Sequence, residues 1–392
     1  MSQPVILSAC RTPIGKFGKS LVGVSAPRLG SVAIKEAVRR AKVSPSQIDE
    51  VIMGNVISAG LGQNPARQAA IFAGIPFGAG SITVNKVCGS GLKAVMLAAQ
   101  SIRAGDNSIV VAGGMESMSN APHLVRGERW GVKIGDSRVV DAMLLDGLWD
   151  AYHDYHMGMT GEIIAKKFGI TRKGADEFAY QSHMRAARAS KDGLFDEELV
   201  RVSLARQDGV PVDFRTDECV RPDTTIRKLA ELKPVFKEGG VLTAGNSSQL
   251  SDGASALVLA SEEVADKLGA KPLAKIVAYG TGGLEPSRVM EAPIPTTRAL
   301  LKKAGLTVSD IDLFEHNEAY STASIAVRQA LGIPEDRFNV TGGAVALGHP
   351  IGCSGARVLT TLLYGLRRDG KKTGLATLCL GGGNAVSMIV KR

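Results

Sequence analysis

The stretch "VNKVCGSGLKAV", residues 84–95, changes character at Cys88. β-branched residues precede the cysteine, glycines follow it, and apolar residues then recur at the three- and four-residue spacing of a helix face. The pattern predicts a strand that ends before Cys88 and a helix that begins just after it. Because a helix N-terminus favours negative charge, we expect the pKa of the Cys88 thiol to be lowered.

The two parts of the chain on either side of its middle resemble one another. The segment around Asp49 is similar to the segment around Asp312, and "CGSGLKAVMLAAQSI" from Cys88 is similar to "CSGARVLTTLLYGL" from Cys353. In the same order, "IVVAGGMESMS" is similar to "ATLCLGGGNAVSM". Three matched pieces in one order indicate two copies of one fold.

Within each copy, apolar runs typical of buried strands alternate with helical patterns, and "RFNVTG" is among the predicted strands. This alternation predicts an α/β fold of βαβ units, with parallel sheets covered on both faces. We predict an N-terminal half over residues 1–120, completed by about residues 251–271, and a C-terminal half over residues 272–392. Residues 121–250 have no counterpart, hold both tryptophans, and are predicted to form an inserted loop domain.

Composition narrows the class of protein. The net charge of +9 never forms a run, and aromatic residues are only 5% of the chain, so a basic surface or a phosphate-bearing ligand is favoured over nucleic acid. Neither an eighteen-residue apolar run nor a basic leader is seen, and the five cysteines contain no CxxC pair. These features predict a cytoplasmic protein without a membrane span. His153 and His156 could bind a metal on a helix, but no third ligand accompanies them, so no metal is predicted.

Polar groups follow several predicted strands at their carboxyl ends, where open α/β sheets place their ligands. Cys88, Asn317, His349 and Cys379 hold such positions, and they would converge if the two copies packed as a pseudo-symmetric pair. Cysteine and histidine together suit a nucleophile and its base. A buried small cysteine and a histidine satisfied by backbone groups remain the structural alternatives.

Taken in order, the motifs resemble those of the thiolases, acyltransferases that make or cleave 3-ketoacyl-CoA. The resemblance covers essentially the whole chain and includes "RTPIGKFGK", "VNKVCGSGLKAV", "AGGMESMSNAPH", "VLTAGNSSQLSDGASA", "HNEAY", "NVTGGAVALGHPIGCSGAR" and "LCLGGGNA". It implies a five-layered α/β/α/β/α fold of two duplicated βαβ-type halves, with the inserted loop domain over the active site. A homotetramer, built as a dimer of dimers, is also implied.

The same resemblance implies a role for each site residue. Cys88 would be the nucleophile that becomes acylated, His349 the base that activates it, and Cys379 the acid and base for the α-proton. Asn317 would hold a water in an oxyanion hole, and the N–H groups of Cys88 and Gly381 would form a second hole. No cofactor is implied, because coenzyme A thioesters are themselves the substrates.

Contacts with CoA are implied less specifically. The family pattern points to four residues, and Lys228 is added because basic residues between 221 and 237 could face CoA phosphates. These basic residues could instead form an ordinary solvated surface. His316 and Tyr320 depart from the pattern, since many relatives carry a small residue and phenylalanine there. The five expected CoA contacts are His156, Met157, Arg221, Lys228 and Ser248.

"YHMG" and "NEA" resemble the short-chain biosynthetic branch. The expected reaction is the reversible condensation of two acetyl-CoA to acetoacetyl-CoA plus CoA, and the alternative is a broad-chain degradative thiolase acting on other 3-ketoacyl-CoAs. A decarboxylating condensing enzyme would need histidine or asparagine in place of Cys379. A noncatalytic acyl-CoA-binding protein and a cysteine-dependent hydrolase are further alternatives.

Overall fold

The computed structural model describes residues 2–204 and 212–392. The first part of the chain alternates strands and helices as the sequence predicts. Its elements are β1 Pro4–Arg11, β2 Gly15–Lys16, α1 Ala26–Ala41, β3 Glu50–Gly54, α2 Pro65–Phe72, β4 Gly80–Val84, α3 Ser90–Ala104 and β5 Ile109–Ser117.

The middle of the chain has a different character, with short antiparallel strand pairs around helices. The six strands of this region form three antiparallel pairs, each strand with its neighbour along the chain. The elements are β6 His123–Val125, β7 Val139–Asp141, β8 Trp149–Asp150, β9 Tyr155–His156, α4 Gly158–Phe168, α5 Arg172–Lys191, β10 Val202–Leu204, β11 Val212–Phe214 and α6 Ile226–Ala230.

The last part of the chain returns to alternating strands and helices. In the described residues, no helix has the length and apolar composition that crossing a membrane requires. The elements are β12 Ser251–Ser261, α7 Glu262–Lys267, β13 Ala274–Gly283, α8 Pro293–Ala304, β14 Leu313–His316, α9 Ser321–Leu331, α10 Ala344–Leu347, α11 Ile351–Arg368, β15 Thr373–Leu380 and β16 Asn384–Lys391.

Ten of the described strands form one sheet in the order β14-β15-β16-β13-β1-β12-β5-β3-β4, with β2 paired to β12. The prediction of parallel sheets is wrong in part. β3 is parallel to β4 and β5, and β14 to β15, but β12 and β16 run antiparallel to both of their neighbours. β16 does so because a tight turn joins it to β15, and such turns connect antiparallel strands.

The duplication read from the sequence is visible in the strand order. β1-β12-β5-β3-β4 in one half corresponds to β13-β16-β15-β14 in the other. The predicted strand "RFNVTG" is wrong, because only Phe338 bridges to the neighbouring Phe314. The Asn339 side chain instead accepts the His316 N–H at 2.8 Å and donates to the His316 carbonyl at 2.9 Å, so a side-chain amide replaces the missing ladder.

The predicted five layers are confirmed. α1 and α2 cover one half of the sheet, α8 and α9 cover the other, and α3 and α11 lie between the two halves. The central helices approach closely because glycines face them: a Cβ on Gly355 would lie 2.5 Å from the Leu92 nitrogen, and one on Gly91 would lie 2.7 Å from the Ala356 nitrogen. This contact brings together the segments that precede the two helices.

Candidate active site

Cys88 lies in a strained turn between β4 and α3. Val87 has a φ of +46°, which a β-branched residue rarely adopts. The Ser90 hydroxyl stabilises the turn by donating to the Val87 carbonyl at 2.6 Å and accepting the Lys86 N–H at 2.9 Å. Strain of this kind persists where the surrounding structure imposes it, and it is concentrated at functional sites.

The environment of the Cys88 sulfur differs from the expectation. The residue keeps partial exposure, but burial of its sulfur raises the pKa of the thiol to about 11. Backbone N–H groups of Gly381 and of Cys88 itself donate towards the sulfur and offset that rise in the pKa only in part. The prediction of a lowered pKa is therefore wrong, because desolvation of the thiolate outweighs the nearby helix start.

His349 is held as a neutral base. Ser354 donates its hydroxyl to the Pro350 carbonyl at 2.9 Å, so it accepts a hydrogen bond of 2.5 Å from the His349 Nδ1–H. That assignment leaves Nε2 without a proton, 3.3 Å from the Asn317 side-chain nitrogen. Burial, assisted by the Arg357 guanidinium, lowers the pKa of His349 to about 3. The ring is therefore uncharged at neutral pH, with Nε2 free as an acceptor.

Asn317 is fixed by its neighbours. Its N–H donates to the Thr377 carbonyl at 3.2 Å, and its buried side-chain oxygen has no partner in the described part of the chain. The adjacent Glu318 accepts hydrogen bonds from Ser182 at 2.7 Å and Asn339 at 2.8 Å, which anchors the loop. A buried amide oxygen left free in this way suits a bound water.

Cys379 lies at the end of β15, in regular strand geometry. Only 2% of the residue is exposed, and its thiol donates to the Met290 sulfur at 3.5 Å. Burial, with a further contribution from nearby Cys88, raises the pKa of this thiol well above its usual range. The following Gly381 has little room for a side chain, because a Cβ there would lie 3.3 Å from Val87.

Cys88, His349, Cys379 and Gly381 line one cavity of about 40 Å³. Asn317 does not line it but reaches it through its contact with His349. A wider cavity of about 430 Å³ adjoins it. Residues that line both cavities are Leu148, Ser248, Tyr320, His349 and Ile351.

Comparison with known proteins assigns this arrangement to a family. The profile described as "Thiolase, N-terminal domain" matches residues 4–263, and that described as "Thiolase, C-terminal domain" matches residues 270–392. The chain belongs to the thiolase family. It is therefore an acyltransferase enzyme by class, and the resemblance of its motifs is confirmed.

Individual relatives match over the full length of this thiolase. An acetyl-CoA acetyltransferase of Cupriavidus necator is 52% identical over 392 residues and covers 100% of both chains. A probable acetyl-CoA acyltransferase of Staphylococcus epidermidis is 48% identical and covers 100% of this chain and 99% of its own. The crystal structure of the Bacillus anthracis acetyl-CoA acetyltransferase superposes with a TM-score of 0.98 at 40% identity, covering 100% of this chain and 99% of that one.

The expected CoA contacts of this thiolase are divided between the cavities. Met157 lines the inner cavity, His156 and Arg221 line the outer one, and Ser248 lines both. The His156 ring stacks on Phe236 with 4.8 Å between centroids. Lys228 lines neither cavity, since its amino group pairs with Asp223 at 2.7 Å on the exposed surface.

The sequence interpretation missed residues that position the site of this thiolase. Ser354 fixes the His349 tautomer from one turn inside α11. Buried Glu116 accepts N–H groups from Gly352 at 2.9 Å and Val56 at 3.0 Å, which ties the start of α11 to the N-terminal half. Both lie in quoted motifs, "GCSG" and "GMES", but neither sequence pattern indicates which partner the side chain finds.

Proposed function

We propose that this thiolase catalyses the reversible condensation of two acetyl-CoA to acetoacetyl-CoA plus CoA through an acyl-Cys88 intermediate. The observation that supports the proposal is that Cys88, His349 and Cys379 line a single cavity. Two thiols and a neutral imidazole at one site supply a nucleophile and separate proton carriers for two half reactions.

In the first half reaction, the Cys88 proton moves to the free Nε2 of His349. The sulfur bonds to the acetyl carbon, and the bond from that carbon to the CoA sulfur breaks. The leaving CoA thiolate takes the proton of Cys379. This transfer leaves an acetyl thioester on Cys88, an imidazolium and a Cys379 thiolate, so atoms and charges balance.

In the second half reaction, the Cys379 thiolate takes the α-proton of a second acetyl-CoA. The resulting carbanion attacks the acetyl carbon on Cys88, and acetoacetyl-CoA forms as the carbon–sulfur bond breaks. The Cys88 thiolate recovers its proton from the His349 imidazolium. A buried thiol of raised pKa makes a stronger base once ionised, which suits an α-proton far less acidic than a thiol.

Donors for the developing oxyanions lie beside the cavity. The N–H groups of Cys88 and Gly381 are directed towards the Cys88 sulfur, where the thioester carbonyl would form. In the second half, protonated His349 would itself donate, alongside a water held by Asn317. One such donor contributes roughly 3 kcal/mol in other oxyanion holes.

The dimensions of the cavities favour a short acyl group. A volume of about 40 Å³ has room for only a few waters, each of which needs roughly 10–15 Å³ of such space. Buried Met157, Met290 and Tyr320 surround it, so each added methylene would require one of them to move. A longer substrate is therefore disfavoured, and the broad-chain alternative with it.

The outer cavity is proposed to receive the CoA moiety. Its volume of about 430 Å³ suits an extended cofactor-like chain, and Lys16 and Arg221 line it with positive charge. No step in the cycle calls on a metal or an organic cofactor. Assembly as a homotetramer remains a prediction from the family resemblance.

A thiolysis assay tests the proposal. Purified protein would receive CoA with acetoacetyl-CoA or with a longer 3-ketoacyl-CoA, and Cys88→Ala would serve as the blank. We expect kcat/KM to fall by about 10-fold or more for the longer chain, as pocket discrimination by methylenes allows. Equal values for both substrates would contradict the short-chain assignment, and hydrolysis without CoA would contradict acyl transfer.

A further inference from the structure

The thiol of Cys379 has an unusual partner. It donates a hydrogen bond to the thioether sulfur of Met290 at 3.5 Å, and both residues are almost wholly buried. Within residues 2–204 and 212–392, this sulfur is the one side-chain acceptor that the thiol meets. Leu242, Val289 and Ala319 belong to the same apolar cluster as the two residues, and Cys88 and His349 line the cavity that Cys379 faces.

The segment that carries Met290 is held firmly. It belongs to a short 3-10 helix, Pro286–Glu291, which packs against β15 and α4. The neighbouring Glu291 is nearly buried and accepts hydrogen bonds from Lys167 at 2.6 Å and Arg288 at 2.9 Å. These charge-assisted contacts restrain the helix, so the distance between the two sulfurs is set by the fold.

We propose that Met290 is a positioning residue for the second half reaction, accepting the S–H of Cys379 once the Cys379 thiolate has taken the α-proton of acetyl-CoA. This inference rests on the proposed function. When the proton arrives on the Cys379 sulfur, the Met290 sulfur accepts the new S–H. Met290 itself neither gains nor loses a proton, and no bond to it breaks.

The physical reason is the scarcity of other acceptors. A thiol in apolar surroundings rotates freely about its Cβ–Sγ bond unless an acceptor selects one direction, and a thioether sulfur is a weak acceptor that can do so. A bond to the protonated form also favours that form over the thiolate. In the part of the chain that the structure describes, the Cys88 thiol has no such side-chain acceptor. Each cysteine has its own backbone N–H as a donor, and Cys88 has that of Gly381 in addition.

Met290→Leu tests the proposal, because the substitution conserves volume while removing the sulfur acceptor. Met388→Leu, in the core strand β16, applies the same chemical change away from the site. For each variant we would measure burst acylation of Cys88 by acetyl-CoA, hydrogen–deuterium exchange at the acetyl α-carbon, and the thermal midpoint. In Met290→Leu we expect the rate of α-proton exchange to fall about 5- to 10-fold, because one weak hydrogen bond is lost. The rate of acylation should change less than about twofold.

A second measurement separates positioning from packing. In a Cys88→Ala background, the rate of Cys379 alkylation by iodoacetamide would be followed against pH. Met290→Leu should shift this profile to lower pH, because the thiol form loses its acceptor, whereas Met388→Leu should leave the profile unchanged. Equal losses in acylation and exchange, or an unshifted profile, would overturn the inference. Failure of the unsubstituted protein to acylate would instead refute the proposed function.

Discussion

The two cysteines of the site occupy different backbone environments. Cys88 follows a residue with a φ of +46° and keeps partial exposure, whereas Cys379 continues a regular strand and is 2% exposed. Each sulfur has its own backbone N–H as a donor, the first has the Gly381 N–H in addition, and a thioether accepts from the second. Donors stabilise a thiolate and an acceptor stabilises a thiol, so one residue type is prepared for two tasks.

The halves of the duplicated fold produce this difference. Cys88 precedes α3, while the segment that precedes the corresponding α11 carries His349. Cys379 ends β15, the counterpart of β5 in the other half. Duplication therefore provided equivalent positions at the sheet ends, and different side chains at these positions give the site its asymmetry.

The largest expected effect tests this division directly. Cys88→Ala should reduce acylation by acetyl-CoA by a factor of roughly 10³ or more, since it removes the nucleophile. Cys379→Ala should still acylate, though more slowly because the leaving CoA thiolate must take its proton from water, whereas condensation and α-proton exchange should fall by a factor of roughly 10³ or more. Radiolabel transfer from acetyl-CoA to protein measures the first step, and deuterium uptake measures the second.

Asn317→Asp provides a further comparison, because it alters a neighbour of His349 while leaving both thiols in place. The acylation rate of Asn317→Asp should lie closer to the rate of the unsubstituted protein than to the rate of Cys88→Ala. If the two cysteine variants lost both half reactions equally, separate roles for the two sulfurs would be ruled out.

Sequence reasoning predicted those features that depend on local pattern. The turn at Cys88 follows from glycines and helical periodicity within twelve residues, "VNKVCGSGLKAV". The α/β class and the two copies follow from alternating strands and helices and from repetition, whereas the five layers were implied by the family resemblance. The antiparallel strands β12 and β16 were missed, because apolar runs reveal burial and carry no information on direction.

Features that depend on contacts between residues far apart in the sequence could not be predicted from the sequence. The pKa of Cys88 rises because segments around Leu148 and Ile351 enclose the same cavity, and no spacing near residue 88 encodes that enclosure. The hydroxyl of Ser354 acquires its role only when its helix places it beside His349. "RFNVTG" failed as a strand because the Asn339 amide pairs with His316 in place of the backbone.

The pH dependence of the acylation rate tests the protonation states of Cys88 and His349, and its expected effect is smaller than that of the cysteine substitutions. With the pKa of His349 lowered to about 3 and that of Cys88 raised to about 11, the imidazole is neutral and the thiol protonated throughout the interval between those values. The acylation rate should therefore form a plateau there, falling only as pH approaches the His349 value. Stopped-flow measurement of the acylation rate across this pH range tests the plateau. An inflection of the rate near pH 6.5, the ordinary pKa of histidine, would contradict it.

The smallest expected effect concerns the strain at Val87, which has no equivalent at Cys379. Val87→Gly permits the positive φ without steric conflict, whereas Val87→Ala removes the same methyl groups and keeps the conflict. The glycine variant should exceed the alanine variant by about 1 kcal/mol in free energy of unfolding, the cost of the left-handed region for a residue with a Cβ. Both should acylate several-fold more slowly than the unsubstituted protein, because Val87 lines the same cavity as Cys88 and Gly381 and its methyl groups pack there. Denaturant unfolding of the pair measures the difference, and an alanine variant as stable as the glycine variant would show that the turn holds no strain to release.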